Sequence, residues 1–139
     1  MTTFAQIAAG SAVLGLCSAV HLILLIRSVN VLGRFHKHHT RLHWGWFIAG
    51  AFTAVVLGHT IQVWIWAICF VMLEAFATLD QALYFSLTTY TTLGYGDIIV
   101  GEGIRIFAAM GAVTGLLNFG LSTAFLVELV IRYLPDDEA

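Results

Sequence analysis

A chain of 139 residues with a mean hydropathy of +0.91 and only 10% charged residues cannot clothe a soluble domain, in which about a quarter of residues are charged. Its formal net charge of −2 excludes a strongly basic nucleic-acid-binding surface. No hydrolase, kinase or dinucleotide motif is present, so neither an enzyme nor a catalytic residue is expected.

Lipid is therefore the expected solvent, and the elements follow in chain order. Residues 4–26 hold no Asp, Glu, Lys or Arg and are long enough for a helix to cross about 30 Å of hydrocarbon. The first basic residue is Arg27, so this run lacks the basic start of a signal peptide and is read as a permanent, additional N-terminal span. Residues 27–43 form a basic loop containing RFHKHHTRLH. Its His36, His38, His39 and His43 meet anionic headgroups in the plainer reading, and sense pH or hold a metal in the other. Residues 44–73 make a second, outer span, again uncharged. Cys17 and Cys69 lie inside apolar runs as small hydrophobes and imply no disulfide.

Residues 81–96 are uncharged but too short and too polar to span. Non-helical backbone at membrane depth survives only where protein or a water-filled cavity surrounds it, which points to a pore. A short pore helix is expected over 80–91, capped by Asp80, with Thr78 the second choice. Such a helix is about 18 Å long and ends near the membrane centre, where its C-terminal dipole favours a cation. Residues 104–132 form the last, inner span, and 133–139 leave no room for a cytoplasmic ligand-binding domain.

Arg27, Arg34, Lys37, Arg41 and Arg132 set against Arg105 place the 27–43 loop and the C-terminus in the cytoplasm, and the N-terminus outside. Glu74, Asp80, Asp97 and Glu102 then give the outer face an acidic character that concentrates cations. The first span carries no periodic arginines, which argues against a voltage sensor.

Between the short helix and the last span runs TTLGYGD, residues 91–97. Glycines at alternate positions allow left-handed backbone angles, and alternating handedness turns successive carbonyls to one side. A line of carbonyls can replace the water shell of a monovalent cation. The side chains of Leu93 and Tyr95 then point away from the axis, against surrounding helices.

TTLGYGD resembles the selectivity-filter signature of potassium channels, usually written TVGYGD. ALYFSLTTYTTLGYGDI resembles their pore helix and filter, and GLLNFGLSTA is similar to their inner helix. With the additional span and GHTIQVWIWA, the chain looks like a small three-span bacterial branch of the pore-loop family. The resemblance implies that K+ is coordinated at Thr92, Leu93, Gly94 and Tyr95, with Gly96 as the exit. Asp97, Thr88, Tyr84 and Thr91 would support the filter. Many relatives place a carboxylate where this chain has Thr88 and a tryptophan where it has Tyr84, so the bracing differs here. The resemblance further implies a gating hinge at Gly115, with Gly111 and Gly120 read as packing glycines. Asn118 and Thr123, polar in mid-span, are expected at a watered cavity wall or in an interhelical hydrogen bond, with the cavity wall favoured for Asn118.

His21 and His59 fall inside apolar runs. One reading has them ligate haem in a small membrane redox protein; the plainer one has His59 and Gln62 hydrogen-bond a neighbouring helix. The whole is read as an all-α, single-domain protein of the bacterial inner membrane, a homotetramer in lipid with no cofactor besides permeant K+. A weakly selective cation channel is the alternative.

Overall fold

The structure, a computed structural model, describes residues 1–34 and 41–133, with side chains for 1–31 and 45–132. It is all-helical among those residues: α1 (Thr3–Arg34), α2 (Arg41–Met72), α3 (Leu79–Tyr90), a 3-10 turn (Glu102–Ile104) and α4 (Arg105–Tyr133). Three stretches are long and apolar enough to cross a membrane: Thr3–Val31, Gly45–Met72 and Glu102–Arg132.

The expected 27–43 loop is largely helix, a correction to the sequence reading. Arg27 did not end α1, because arginine is a good helix former and a charged side chain can leave the hydrocarbon while its backbone stays helical. His36, His38 and His39 lie outside the described residues, and of His43 only the helical backbone is described. Residues 134–139 of the expected tail also lie outside them. The outer helix ends at Met72 rather than 73, and the inner helix runs over Arg105–Tyr133.

α1 packs along both α2 and α4, and α3 lies in the angle between α2 and α4. The additional span is thus integral to the bundle. Its N-terminal end is fastened to the start of α4: the Gln6 side-chain oxygen accepts from the backbone N–H of Ile106 (3.0 Å) and Phe107 (3.3 Å). Those are N–H groups that a helix cannot satisfy internally, so Gln6 caps α4 from another helix. The main core joins Trp66, Phe70, Phe85 and Phe107 with Tyr90 and Ala108, and a smaller cluster of Phe47, Ala51 and Leu129 closes the other end.

Candidate functional site

α3 starts at Thr78, not at Asp80 as expected. The Thr78 hydroxyl accepts from the Gln81 backbone N–H (3.3 Å) with extended backbone angles, while Asp80 sits in the first turn near the positive end of the helix dipole. The helix ends at Tyr90, one residue before the expected boundary, and Thr91 is its C-cap.

Past Tyr90 the chain turns back. The N–H groups of Leu93 (2.9 Å) and Gly94 (3.1 Å) both donate to the Thr88 carbonyl, and that of Thr92 to Thr89 (2.9 Å). Thr91 returns its hydroxyl to the Leu87 carbonyl (2.8 Å). The helix end is thereby closed by the loop's own N–H groups, and no hydrogen bond is made to the carbonyls of Thr92 to Gly96 among the described residues.

Left-handed angles recur at every second residue: Thr92 (φ 60), Gly94 (φ 53) and Gly96 (φ 78). The glycines take them at little cost. For the β-branched Thr92 such an angle stores about 1–3 kcal/mol of strain, and sequence reasoning did not foresee it. The loop is solvent-exposed along its length in a single chain, and Leu93 (55%) and Tyr95 (68%) lack the expected cover from their own helices.

The bracing differs from that implied by the resemblance. Thr88 is buried, and its hydroxyl donates to the Phe85 carbonyl of its own helix (3.1 Å), so this residue meets the loop through its backbone oxygen alone. The Tyr84 hydroxyl donates to the Asp97 carboxylate at 2.7 Å. That bond holds the carboxyl of Asp97 below the usual carboxylate range and pushes the Tyr84 phenol up. Backbone N–H groups of Asp97 and Ile98 add to the effect on Asp97.

Behind the loop lies a buried polar network that sequence reasoning saw only in part. The Tyr90 hydroxyl stands 3.0 Å from the Gln62 side-chain oxygen and 2.8 Å from Nδ1 of His59. Nε2 of His21 and of His59 both meet the Ser122 hydroxyl oxygen, at 2.7 and 3.0 Å. Asn118 Nδ2 donates to the Gln62 side-chain oxygen (2.9 Å) and to the Thr114 carbonyl (3.0 Å), with the Ser18 hydroxyl at 3.3 Å. It is 1% exposed and turned towards α1 and α2, so it does not line a cavity as expected; burial among hydrogen-bonding partners outweighed a watered surface. Thr123 is exposed and bonds only its own helix, at Phe119 (2.9 Å).

Nor does the histidine pair suit haem. The rings stand 4.8 Å apart, and each nitrogen is already within hydrogen-bond distance of a neighbour, leaving neither a gap for a porphyrin nor a free ligand atom. The plainer expectation, that His59 and Gln62 bond a neighbouring helix, describes the geometry. Spacing along each helix could have revealed the remaining members: Ser18 with His21, and Thr114, Asn118 and Ser122, each share one helical face.

Gly115 meets this region through packing. A Cβ there would stand 1.8 Å from the Tyr90 carbonyl oxygen, so glycine is required for α4 to touch the end of α3. Close contact thus calls for a glycine at this position whether or not the helix also bends there. At Gly111 a Cβ would meet only ordinary contacts at 3.6 Å, and at Gly120 nothing within 4 Å, so neither is a packing glycine within the chain.

Residues 55–132, more than half of the chain, match a protein-family model described as ion channel. The matched stretch runs from within α2 through α3 and the exposed loop to the end of α4, leaving α1 outside. No solved structure matches the chain significantly.

Proposed function

The chain belongs to the ion channel family, and from that premise we propose that it is a potassium-selective channel, four copies of which close a pore around residues 92–96. The observation that carries this reading is the backbone of that loop. Alternating left-handed angles at Thr92, Gly94 and Gly96, with carbonyls free of other bonds, suit a column of oxygens that replaces the hydration shell of K+. Thr92 supplies the innermost site through its carbonyl and hydroxyl, and Leu93, Gly94 and Tyr95 supply the sites above it.

One chain provides a quarter of such a site, hence a C4 homotetramer. The exposed Leu93 and Tyr95 side chains support it, since a neighbouring copy can cover them. α3 directs its negative end towards the same point, and four such ends favour a cation at the foot of the column. The basic residues of the 27–43 region orient the protein in the inner membrane with its C-terminus inside, so that Asp97, Glu102, Glu74 and Asp80 face outward.

Flux into proteoliposomes with K+ or Na+ as the sole permeant cation tests the reading. K+ should enter well ahead of Na+; equal rates would support the weakly selective alternative, and no flux of either would sink the channel.

A further inference from the structure

We propose that His21 of α1 is a positioning residue for the loop of residues 92–96. It closes a ring of five hydrogen bonds, all running one way, that holds Tyr90 at the foot of that loop. The effect on conduction rests on the channel reading above; the ring rests on hydrogen-bond counting.

The count begins with groups whose roles cannot be exchanged. Gln62 Nε2 must donate to the Gly58 carbonyl (3.1 Å), and Asn118 Nδ2 to the Thr114 carbonyl (3.0 Å), which fixes both amides. The second hydrogen of Gln62 Nε2 goes to Nδ1 of His21 (2.9 Å). A neutral His21 then carries its own hydrogen on Nε2 and donates to the Ser122 hydroxyl oxygen (2.7 Å). Gln62 Oε1 accepts from Asn118 (2.9 Å) and from the Tyr90 hydroxyl (3.0 Å). Tyr90 has one hydrogen only, so its oxygen accepts from Nδ1 of His59 (2.8 Å). A neutral His59 with its hydrogen on Nδ1 has a bare Nε2, which takes the Ser122 hydrogen (3.0 Å). The Asn118 carbonyl competes for that hydrogen at 2.8 Å, but α4 already supplies it with the Ser122 backbone N–H.

Ser122 therefore donates to His59, His59 to Tyr90, Tyr90 to Gln62, Gln62 to His21, and His21 to Ser122. The ring joins all four helices, and every member is satisfied while uncharged. Reversal is barred, because a flipped Gln62 would turn its oxygen onto the Gly58 carbonyl and its nitrogen onto that of Asn118. Bonds running one way polarise each other in the same sense. A buried ring also fails as a unit, since each missing member leaves two neighbours unpaired.

His21 is the ring's sole member from α1, the helix that lies outside the family match. It is fully buried, and a Cβ at Gly58 would stand 2.7 Å from its Nδ1, so that glycine lets the imidazole lie against the α2 backbone. Across the ring stands Tyr90, 1% exposed and the last residue of α3. Its hydroxyl is held from two sides, and its carbonyl abuts Gly115 of α4. Two residues on, Thr92 has a left-handed backbone, and such strain persists only where the surroundings enforce it. Without His21, Gln62 Nε2 and Ser122 each lose a partner; Gln62 turns, Tyr90 loosens, and the foot of the loop loosens with it.

The test uses the full-length protein in lipid at about pH 8, where histidine is neutral. ¹⁵N NMR of histidine-labelled protein, with the two rings assigned by substituting each, should show His21 protonated on Nε2 and His59 on Nδ1. Tyr90→Phe removes the acceptor for His59 and should move its hydrogen to Nε2. The ratio of K+ to Na+ flux is measured beside it, because it does not depend on how much protein assembles. His21→Phe should lower that ratio severalfold. His21→Gln, whose carboxamide also sets a donor and an acceptor on either side of one carbon, should restore most of it. Should His21→Phe fail to assemble, Ser122→Ala breaks the same ring with little change in bulk and should lower the ratio likewise. A wild-type His59 protonated on Nε2 overturns the ring. An unchanged ratio in the assembled variant overturns the positioning role, as does a ratio that His21→Gln leaves as low as His21→Phe. Equal K+ and Na+ flux in the wild type, or none, would instead defeat the proposed function, and the two tautomers alone would then decide the ring.

Discussion

The Tyr84 hydroxyl donates to the Asp97 carboxylate at 2.7 Å, joining the middle of α3 to the outward limb of the TTLGYGD loop. Thr88 holds the inner end of the same loop through its carbonyl, so the loop is fastened at two heights on one helix. Only the outer fastening depends on a side chain that can be exchanged without touching backbone. Tyr84→Phe should leave the tetramer assembled but make K+ flux decline severalfold faster after it begins, as the outer limb loosens. Tyr84→Trp restores an N–H donor and should recover most of the sustained flux. Equal time courses for wild type and Tyr84→Phe would show that the bond does not brace the loop.

The same pair sets an acid limit. The carboxyl of Asp97 is lowered by the Tyr84 bond, so its contribution is complete above the ordinary carboxylate value of about 4 and is lost as pH falls through the lower, folded value. Tyr84 is raised, so its side of the bond persists until pH climbs past the ordinary tyrosine value of about 10. The fastening should therefore hold from weakly acidic to weakly alkaline pH. Resistance of the proposed tetramer to detergent, followed by gel mobility, should fall below about pH 4 in wild type, and Asp97→Asn should remove that particular transition.

Gly115 and Gly120 offer a contrast within one helix. Alanine at 115 puts its Cβ against the Tyr90 carbonyl, which is backbone and cannot rotate away. Gly115→Ala should cost at least the usual about 1–3 kcal/mol of overpacking and displace α4 from the pore helix, seen as loss of assembled protein. Gly120→Ala meets nothing within the chain and gains helix propensity of up to about 1 kcal/mol. It should assemble normally, provided no neighbouring copy occupies that space. Equal yields of both variants would contradict the packing account of Gly115.

Why some of this was legible in the sequence and some was not follows from the range of the forces. Hydrophobic runs against the thickness of a bilayer gave the three long helices, because each run decides its own fate. Gly94 and Gly96 announced a left-handed backbone, since that preference belongs to the residue itself. Thr92 did not, because its angle is imposed by the Thr88 and Thr89 carbonyls that bind the loop. Asn118 was misplaced for a related reason: a polar residue in a span needs a partner, and whether that is water or Gln62 depends on which helix stands opposite. The helical continuation past Arg27 escaped notice because charge marks where hydrocarbon ends, not where helix ends.

Gln6 tests whether α1 is part of the working bundle. Its side-chain oxygen caps Ile106 and Phe107, a role worth about 0.5–2 kcal/mol for a helix start. Gln6→Leu keeps the apolar bulk and removes the acceptor, leaving buried N–H groups unsatisfied. Thermal denaturation in detergent should show a lowered midpoint, whereas Gln6→Glu, which keeps an acceptor at the positive end of α4, should recover part of it. An unchanged midpoint in Gln6→Leu would mean that the two helices are held by packing alone.

The sharpest discrimination comes from Gly94, because its side chain is absent and only its backbone angle is at stake. At φ 53 an alanine is disfavoured by roughly 1–2 kcal/mol, yet open space surrounds the position, so the penalty is conformational and not steric crowding. Gly94→Ala should leave the helices and the proposed tetramer intact, because a Cβ at residue 94 meets nothing within the chain. The carbonyl column should nevertheless break, since the chain relieves the strain by turning that peptide. The expected outcome is K+ flux reduced to background in proteoliposomes, with gel mobility and helix content by circular dichroism unchanged. Gly101→Ala, in open space and at ordinary backbone angles, is the matched control and should conduct normally. If Gly94→Ala conducts K+ like the control, the loop does not coordinate the ion through its backbone, and the selectivity proposal falls with it.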